Sequence, residues 1–182
     1  MLNSINIMAA LTKYSGPGGY NDADLLIGSG KSAALFLLPA HSRSQFSLWC
    51  VMATPLLVGA SANMTAFDLE TYSNRELIEV SQDTGGAVGQ RVQGGNLTII
   101  LGGTNVWART LRDGSVAASF FNAHNFKTLD IPCPLQALGF QENDVVRVRD
   151  LWEHAELGNA TGIFTAKRVA PGASSSFRFW KL

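Results

Sequence analysis

The chain is poor in the residue types from which a chemical function is most easily predicted. Among its 182 residues are two cysteines and three histidines, and their spacing does not match a zinc site. Charged residues make up 15% and the formal net charge is zero, so no basic stripe is available for nucleic-acid phosphates. No apolar run reaches the roughly 18 residues that a membrane-spanning helix needs. We therefore expect a globular protein without a metal, a nucleic-acid partner or a membrane span.

The length and the cysteines set further limits. A chain of 182 residues can bury one good core or two small ones, whereas a complete (β/α)8 barrel needs about 250 residues. Cys50 and Cys133 lie far apart and predict two buried free thiols rather than a disulfide framework. The apolar patch at the N-terminus is short and follows no charged region, which is atypical of a signal peptide. Localisation and oligomeric state stay open.

Helical periodicity dominates the first half of the chain. Apolar residues at positions 46, 49, 50 and 53 share one face of a helix predicted over residues 42–53, which Pro55 ends. Residues 56–58 then predict a short buried strand, and such a strand after a helix is typical of a parallel sheet. Two short helices are expected over residues 66–72 and 74–81.

Each of these two short helices follows a capping-box pattern. Thr65 is followed three residues later by Asp68, and Ser73 is followed in the same way by Glu76. In such a pair, the first side chain accepts a hydrogen bond from an N–H of the first helical turn. The Ser73–Glu76 pair is the better match, so we expect Ser73 to cap the second helix.

The pattern changes near residue 83, where residues 83–89 form a glycine-rich junction. Short apolar segments separated by turn residues follow, and Asp113-Gly114 between two of them is a strong hairpin signal. This spacing predicts an antiparallel β-sandwich. The candidate strands cover residues 97–101, 106–111, 115–121, 127–131, 145–148, 162–166 and 174–180.

The stretch GPGGYNDADLL, residues 16–26, carries Asp22 and Asp24 two positions apart. An Asp-X-Asp metal site would need oxygen ligands from other segments, and the sequence offers no obvious third acid. On a strand, side chains at i and i+2 point the same way about 6.6 Å apart. Glycosidase carboxylates instead flank the scissile bond. A sugar-binding role and a turn-stabilising role remain equally supported.

Two other features predict no site. Gly28-Ser-Gly-Lys-Ser32 resembles the end of a phosphate loop, but Leu25 stands where that motif needs a glycine, so we expect an ordinary surface loop. His41, His124 and His154 lie in separate segments without a shared spacing. We expect solvated or hydrogen-bonded imidazoles rather than metal ligands.

Four segments in the same order resemble glycoside hydrolase family 27, the α-galactosidases and their relatives. GPGGYNDADLL is similar to the family motif Gly-Pro-Gly-Gly-Trp-Asn-Asp-Pro-Asp-Met-Leu. Residues 46–59, FSLWCVMATPLLVG, resemble the helix and last strand of the family's barrel. The segments NRELIEVSQD, residues 74–83, and VRVRDLW, residues 146–152, complete the resemblance. It covers nearly the whole chain.

The resemblance implies a fold of the α/β plus all-β class. Residues 1–84 would be the last two β/α units of a (β/α)8 barrel, with strands 7 and 8, and residues 88–182 a C-terminal antiparallel β-sandwich. Active sites of such barrels lie at the carboxyl ends of the strands. Asp24 and Leu25 match positions that contact the sugar in the family, and Asp22 and Tyr20 match the supporting loop. The family needs no cofactor.

The resemblance also limits the expected activity. The family's aspartate nucleophile and aspartate acid/base precede the matched region, and no residue of this chain corresponds to either. We therefore expect the C-terminal part of a retaining α-galactosidase that is inactive alone. Two alternatives stay open: a non-catalytic carbohydrate-binding or interaction module on residues 88–182, and a non-functional remnant with exposed strand edges. The preference between galactose and N-acetylgalactosamine is not encoded here.

Overall fold

The computed structural model describes residues 1–30, 37–60 and 64–182. Lys31 and Ser32 of the predicted surface loop lie outside this description. Four helices precede the sheets within it, and a 3-10 turn, Thr12–Tyr14, follows the first. They are α1 (Leu2–Leu11), α2 (Pro39–Met52), α3 (Ala66–Tyr72) and α4 (Arg75–Ser81).

The long helix α2 agrees with its prediction but begins three residues earlier than residue 42. Pro39 occupies its first turn, where a missing backbone N–H has no consequence. The helix ends at Met52, and Ala53 adopts a left-handed backbone with a φ of 59°. None of the described helices is long and apolar enough to cross a bilayer.

The cap of α3 is confirmed, whereas the predicted cap of α4 is wrong. Thr65 accepts a hydrogen bond from the Asp68 N–H, as its capping pattern predicts. The residue that caps α4 is Asn74, whose side chain accepts from the Leu77 N–H, and not Ser73. Ser73 is used at the end of α3, where its hydroxyl donates to the Glu70 carbonyl. The corner between the helices is too short for Ser73 to serve both.

In the part of the chain that the structure describes, eight strands form two antiparallel sheets. The first sheet has six strands in the order β1-β2-β3-β8-β5-β6, and the second has two, β4 and β7. The strands are β1 (Gln90–Gln93), β2 (Thr104–Thr110), β3 (Val116–Asn122), β4 (Leu129–Pro134), β5 (Val146–Asp150), β6 (Ala155–Ala160), β7 (Ile163–Val169) and β8 (Ser174–Lys181). The predicted sandwich and its hairpin at Gly114 are confirmed.

The predicted strand over residues 97–101 is wrong. Thr98 and Gly102 instead form an isolated bridge that closes a tight turn. The turn exposes the apolar side chains at 99–101, and Ile100 is 91% exposed. Two edge strands, β1 and β6, were absent from the predictions because their sequences, QRVQ and AELGNA, are too polar to show an apolar pattern.

The six-stranded sheet separates two apolar cores. Trp107 and Phe121 face a core shared with α1, α2 and α4. Their sequence neighbours Val106 and Phe120 face the second core, against β4 and β7. All of β3 is buried because both faces of this strand are covered.

The parallel part of the fold is small. Residues 56–58 were predicted as a buried strand, but the described residues form a single parallel bridge, between Leu26 and Val58. Leu26 donates to the Leu57 carbonyl at 2.8 Å, and Gly59 donates back to the Leu26 carbonyl at 2.9 Å. Leu57 and Val58 are half exposed. Two strands without further neighbours cannot bury both faces, so the expectation of burial was wrong.

One buried arginine connects the helices to the sheet. The Arg109 guanidinium on β2 is 2% exposed. It donates to the carbonyls of Val80, Asp83 and Ala87 around the end of α4. Burial lowers the pKa of Arg109, and the Asp83 carboxylate opposes that effect. These bonds fix the segment after α4 against the sheet.

Both thiols are buried and free, as predicted. Burial raises the pKa of Cys133 to about 11 and raises that of Cys50 further. Both cysteines are therefore uncharged near neutral pH and poor nucleophiles.

Candidate functional site

The segment from Asp22 to Leu25 is a tight turn stabilised by its own carboxylates. The Asp22 carboxylate accepts a hydrogen bond from the Asp24 N–H at 2.8 Å. The Asp24 Oδ1 atom accepts from the Leu25 N–H at 2.7 Å. Asp24 has a φ of 82°, in the left-handed region that favours glycine and that aspartate tolerates better than most residues.

Two side chains of α2 form hydrogen bonds with the backbone of this turn. The fully buried Trp49 indole donates to the Asp24 carbonyl at 2.7 Å. The Gln45 amide donates to the Leu25 carbonyl at 3.0 Å and accepts from the Ile27 N–H at 3.3 Å. Because Gln45 and Trp49 are four residues apart, they lie on one face of the helix. The left-handed backbone at Asp24 is thus fixed by a rigid element.

Both aspartates expose their carboxylates to solvent. Asp22 uses one carboxylate oxygen to stabilise the turn. Asp24 likewise uses Oδ1, which accepts from the Leu25 N–H. In the described part of the chain, the Oδ2 atom of each aspartate has no hydrogen-bond partner, so both carboxylates keep one exposed acceptor oxygen.

Leu25 forms an exposed apolar surface beside Asp24. Its side chain is 42% exposed and packs on the backbone of Gly59. A Cβ atom added to Gly59 would lie 2.8 Å from the Leu25 Cδ1 atom. Any larger residue at position 59 would therefore displace Leu25.

Tyr20 lies away from this group. It lines a cleft of about 280 Å³ with Thr54 and Pro55, at the start of the second parallel segment, and with residues 81–84. Leu25 instead contacts Gly59 at the end of that segment. The structure thus brings Asp22, Asp24 and Leu25 together in one short segment, whereas Tyr20 lines the neighbouring cleft at Thr54 and Pro55.

A buried carboxylate that sequence reasoning missed supports the loop after the site. Asp68 is fully buried and accepts hydrogen bonds from the backbone of Ser29 and from the hydroxyls of Ser42 and Thr65. Burial alone would raise the pKa of Asp68, but these hydrogen bonds together lower it. The capping pattern showed only the contact with Thr65, because Ser29 and Ser42 are distant in sequence.

The remaining sequence motifs form no site in the described ranges. The Ser29 N–H faces the Asp68 carboxylate, so it does not face a phosphate. The His154 Nδ1 atom lies 2.6 Å from a Glu76 carboxylate oxygen. Across residues 1–30, 37–60 and 64–182, no three histidine, cysteine or acidic side chains converge as metal ligands would.

Two family models match the chain in succession. The model of α-galactosidase A matches residues 4–83, and that of the α-galactosidase C-terminal β-sandwich domain matches residues 101–179. The chain belongs to glycoside hydrolase family 27. It corresponds to the C-terminal portion of the family's α-galactosidases, a partial (β/α)8 barrel followed by a β-sandwich, which confirms the resemblance and the predicted fold class.

Similar plant proteins extend well beyond the matched region. The chain is 35% identical to α-galactosidase 3 of Arabidopsis thaliana over 157 residues, which are 85% of this chain and 34% of that protein. It is 34% identical to the α-galactosidase of Cyamopsis tetragonoloba over 158 residues, 85% of this chain and 35% of that protein. The chain thus spans about a third of these family members.

Solved structures show the same fold. α-Galactosidase I of Mortierella vinacea superposes on 97% of this chain and 43% of its own, with a TM-score of 0.83 and 21% identity. The α-galactosidase of Saccharomyces cerevisiae, solved with raffinose, superposes on 99% of this chain and 51% of its own, with a TM-score of 0.85 and 18% identity. At these identities the likeness concerns the fold.

Proposed function

We propose that the chain forms one wall of the sugar pocket of an α-galactosidase-like retaining glycoside hydrolase acting on terminal α-D-galactosides. Residues 1–84 would contribute to the barrel, and residues 88–182 would form the supporting sandwich. The observation that carries the proposal is the position of Asp24 and Leu25. Both are exposed beside the parallel bridge between Leu26 and Val58, and barrel enzymes bind their substrates at the carboxyl ends of such parallel strands.

Asp24 and Leu25 would act on the sugar in different ways. The Asp24 Oδ2 atom is free to accept a hydrogen bond from a sugar hydroxyl, and a bond to an ionised carboxylate is short and strong. Leu25 offers an apolar surface to the carbon-bound hydrogens of the ring. Asp22 would support the turn, which its bond to the Asp24 N–H favours. Tyr20 would support the start of the same strand.

The chain alone would not hydrolyse galactosides. Retention requires a nucleophile and an acid/base on either side of the scissile bond. Asp22 and Asp24 each bind a backbone N–H of the same short segment, so both would approach a bound sugar from one side. Without a nucleophile and a leaving-group acid, neither the covalent step nor the protonation can occur.

The test is an assay of the purified 182-residue chain on a chromogenic α-galactoside, with an active full-length relative as the positive control. We expect no turnover above the uncatalysed background. Asp24→Asn is the matched variant, because it preserves both the size of the side chain and an acceptor oxygen. Turnover by the pure chain would contradict the proposal, and turnover that persists in Asp24→Asn would also exclude this loop as its origin.

A further inference from the structure

A second cleft lies where the helices meet the sandwich. It is lined by the α3–α4 corner and by the turn between β5 and β6, and its volume is about 510 Å³, against about 280 Å³ for the cleft at Tyr20. Small-molecule sites usually measure 300–1,000 Å³. The lining residues are Glu70, Ser73, Asn74, Arg75, Glu76, Glu79, Trp152 and His154.

Hydrogen bonds and an ion pair between the helices and the sandwich fix the walls of this cleft. Asn74 caps α4 and donates to the Leu151 carbonyl at 2.9 Å. The Glu76 carboxylate forms a two-pronged pair with Arg149, at 2.7 and 2.8 Å, and this arginine is the main cause of the lowered pKa of Glu76. A site whose walls are already fixed loses little entropy when a ligand binds.

Trp152 and His154 are also fixed. The Trp152 indole donates to the Ser47 hydroxyl at 3.0 Å, and the Arg43 guanidinium lies 4.2 Å from the centre of its ring. His154 adopts a left-handed backbone with a φ of 53°, which histidine tolerates better than most residues, and its Nδ1 atom lies 2.6 Å from a Glu76 carboxylate oxygen.

The charges in the cleft select a neutral ligand. Glu70 pairs with Arg43 at 3.3 Å, and Glu76 pairs with Arg149. In the described part of the chain Arg75 and Glu79 form no ion pair, and their opposite charges cancel. A phosphate or a nucleotide would need an excess of positive groups, and an amine would need an excess of carboxylates.

The unpaired groups select a ligand that both donates and accepts hydrogen bonds. Arg75 offers only donors and Glu79 only acceptors, and the Ser73 hydroxyl, whose proton is donated to the Glu70 carbonyl, adds a further acceptor. Trp152 adds apolar surface. A sugar meets all three demands, because each hydroxyl donates and accepts while the ring carbons are apolar. We propose that this cleft is a saccharide-binding site separate from the Asp24 loop.

The test is a titration of the isotope-labelled full chain with raffinose and with galactose, followed by NMR. We expect saturable shifts at the Trp152 indole N–H and at the amides of Arg75 and Glu79. Glu79→Gln keeps the shape of the side chain but removes its charge, and should weaken binding at least fivefold. Glu142→Gln, an exposed change in another loop, should bind as the wild type does.

Each outcome decides the proposal. Because Glu79 is exposed on α4, its variant should melt at the wild-type temperature, and Trp152→Phe provides a second variant with a similar ring. Shifts confined to residues 20–27, unchanged binding by Glu79→Gln, or no saturable shift with either sugar would overturn the site. The galactosidase assay is independent of this result, so the two proposals can fail separately.

Discussion

The sheets and the Asp24 segment are stabilised in opposite ways. In the sandwich, β2 and β3 pair backbone to backbone along their whole length. In the Asp24 segment one parallel bridge exists, and side chains bind the remaining backbone groups: Trp49, Gln45 and Thr54 hold residues 23–27. A β-ladder contains many equivalent backbone hydrogen bonds, so the loss of one leaves the strand paired. A segment that is held by a few single side chains depends on each of them. This contrast predicts where substitutions will act.

The largest effect is expected where the two regions meet. Arg109→Met should lower the free energy of unfolding by about 3–5 kcal/mol, because the carbonyls around the end of α4 would be left buried without a donor. Chemical denaturation measures this change. Arg112→Met is the control, because Arg112 is exposed and, among the described residues, its guanidinium binds Thr84 alone. An equal loss of unfolding free energy in both variants would show that Arg109 does not connect the helices to the sheet.

A smaller but more local effect is expected at Trp49. Trp49→Phe keeps a buried ring but removes the N–H that binds the Asp24 carbonyl, which should cost about 1–3 kcal/mol. NMR coupling constants should also show Asp24 leaving its left-handed conformation. Trp180→Phe is the control, since in the described part of the chain the Trp180 indole N–H makes a single long hydrogen bond, of 3.3 Å to Asp113, and its ring lies far from the Asp24 segment in the sequence. An unchanged Asp24 conformation would mean that the turn does not need α2.

The smallest effect is a pH dependence that originates at Asp68. Its pKa is lowered on folding, so its stabilising contribution is complete above the ordinary value of 3.8 and is lost as the pH falls through the folded value. Asp68→Asn cannot titrate, so its unfolding free energy should fall less between pH 5 and pH 2. Denaturant titrations over this range provide the test. Parallel curves for both proteins would assign the acid sensitivity to other carboxylates.

The sequence predicted those elements whose signals are local. The face of α2, the Thr65 cap and the hairpin at Gly114 follow from residues within a few positions of each other. The edge strands β1 and β6 could not be predicted, because their side chains are polar. Their strand conformation depends on hydrogen bonds with the neighbouring strand, which the sequence does not show. Residues 99–101 were predicted as part of a strand because they are apolar. The sequence alone does not show whether three consecutive apolar side chains are buried or exposed.

The same distinction applies to the site. The motif around Asp24 was found because it is a continuous stretch, and its resemblance to a known family gave Asp24 and Leu25 a role. Gln45, Trp49 and Asp68 were missed, because their partners are 18 to 39 residues away in the chain. The sequence places Trp49 on the apolar face of a helix. It does not show that the indole N–H of Trp49 donates to the Asp24 carbonyl.

The central strand β3 also has a consequence for how the protein unfolds. Since its side chains belong alternately to the two cores, unfolding of this strand removes side chains from both cores at once. The helices and the small sheet therefore share one structural support rather than standing as separate layers. Heating should accordingly produce a single cooperative transition, in which signals from Trp107 on one face and Phe120 on the other are lost at the same temperature.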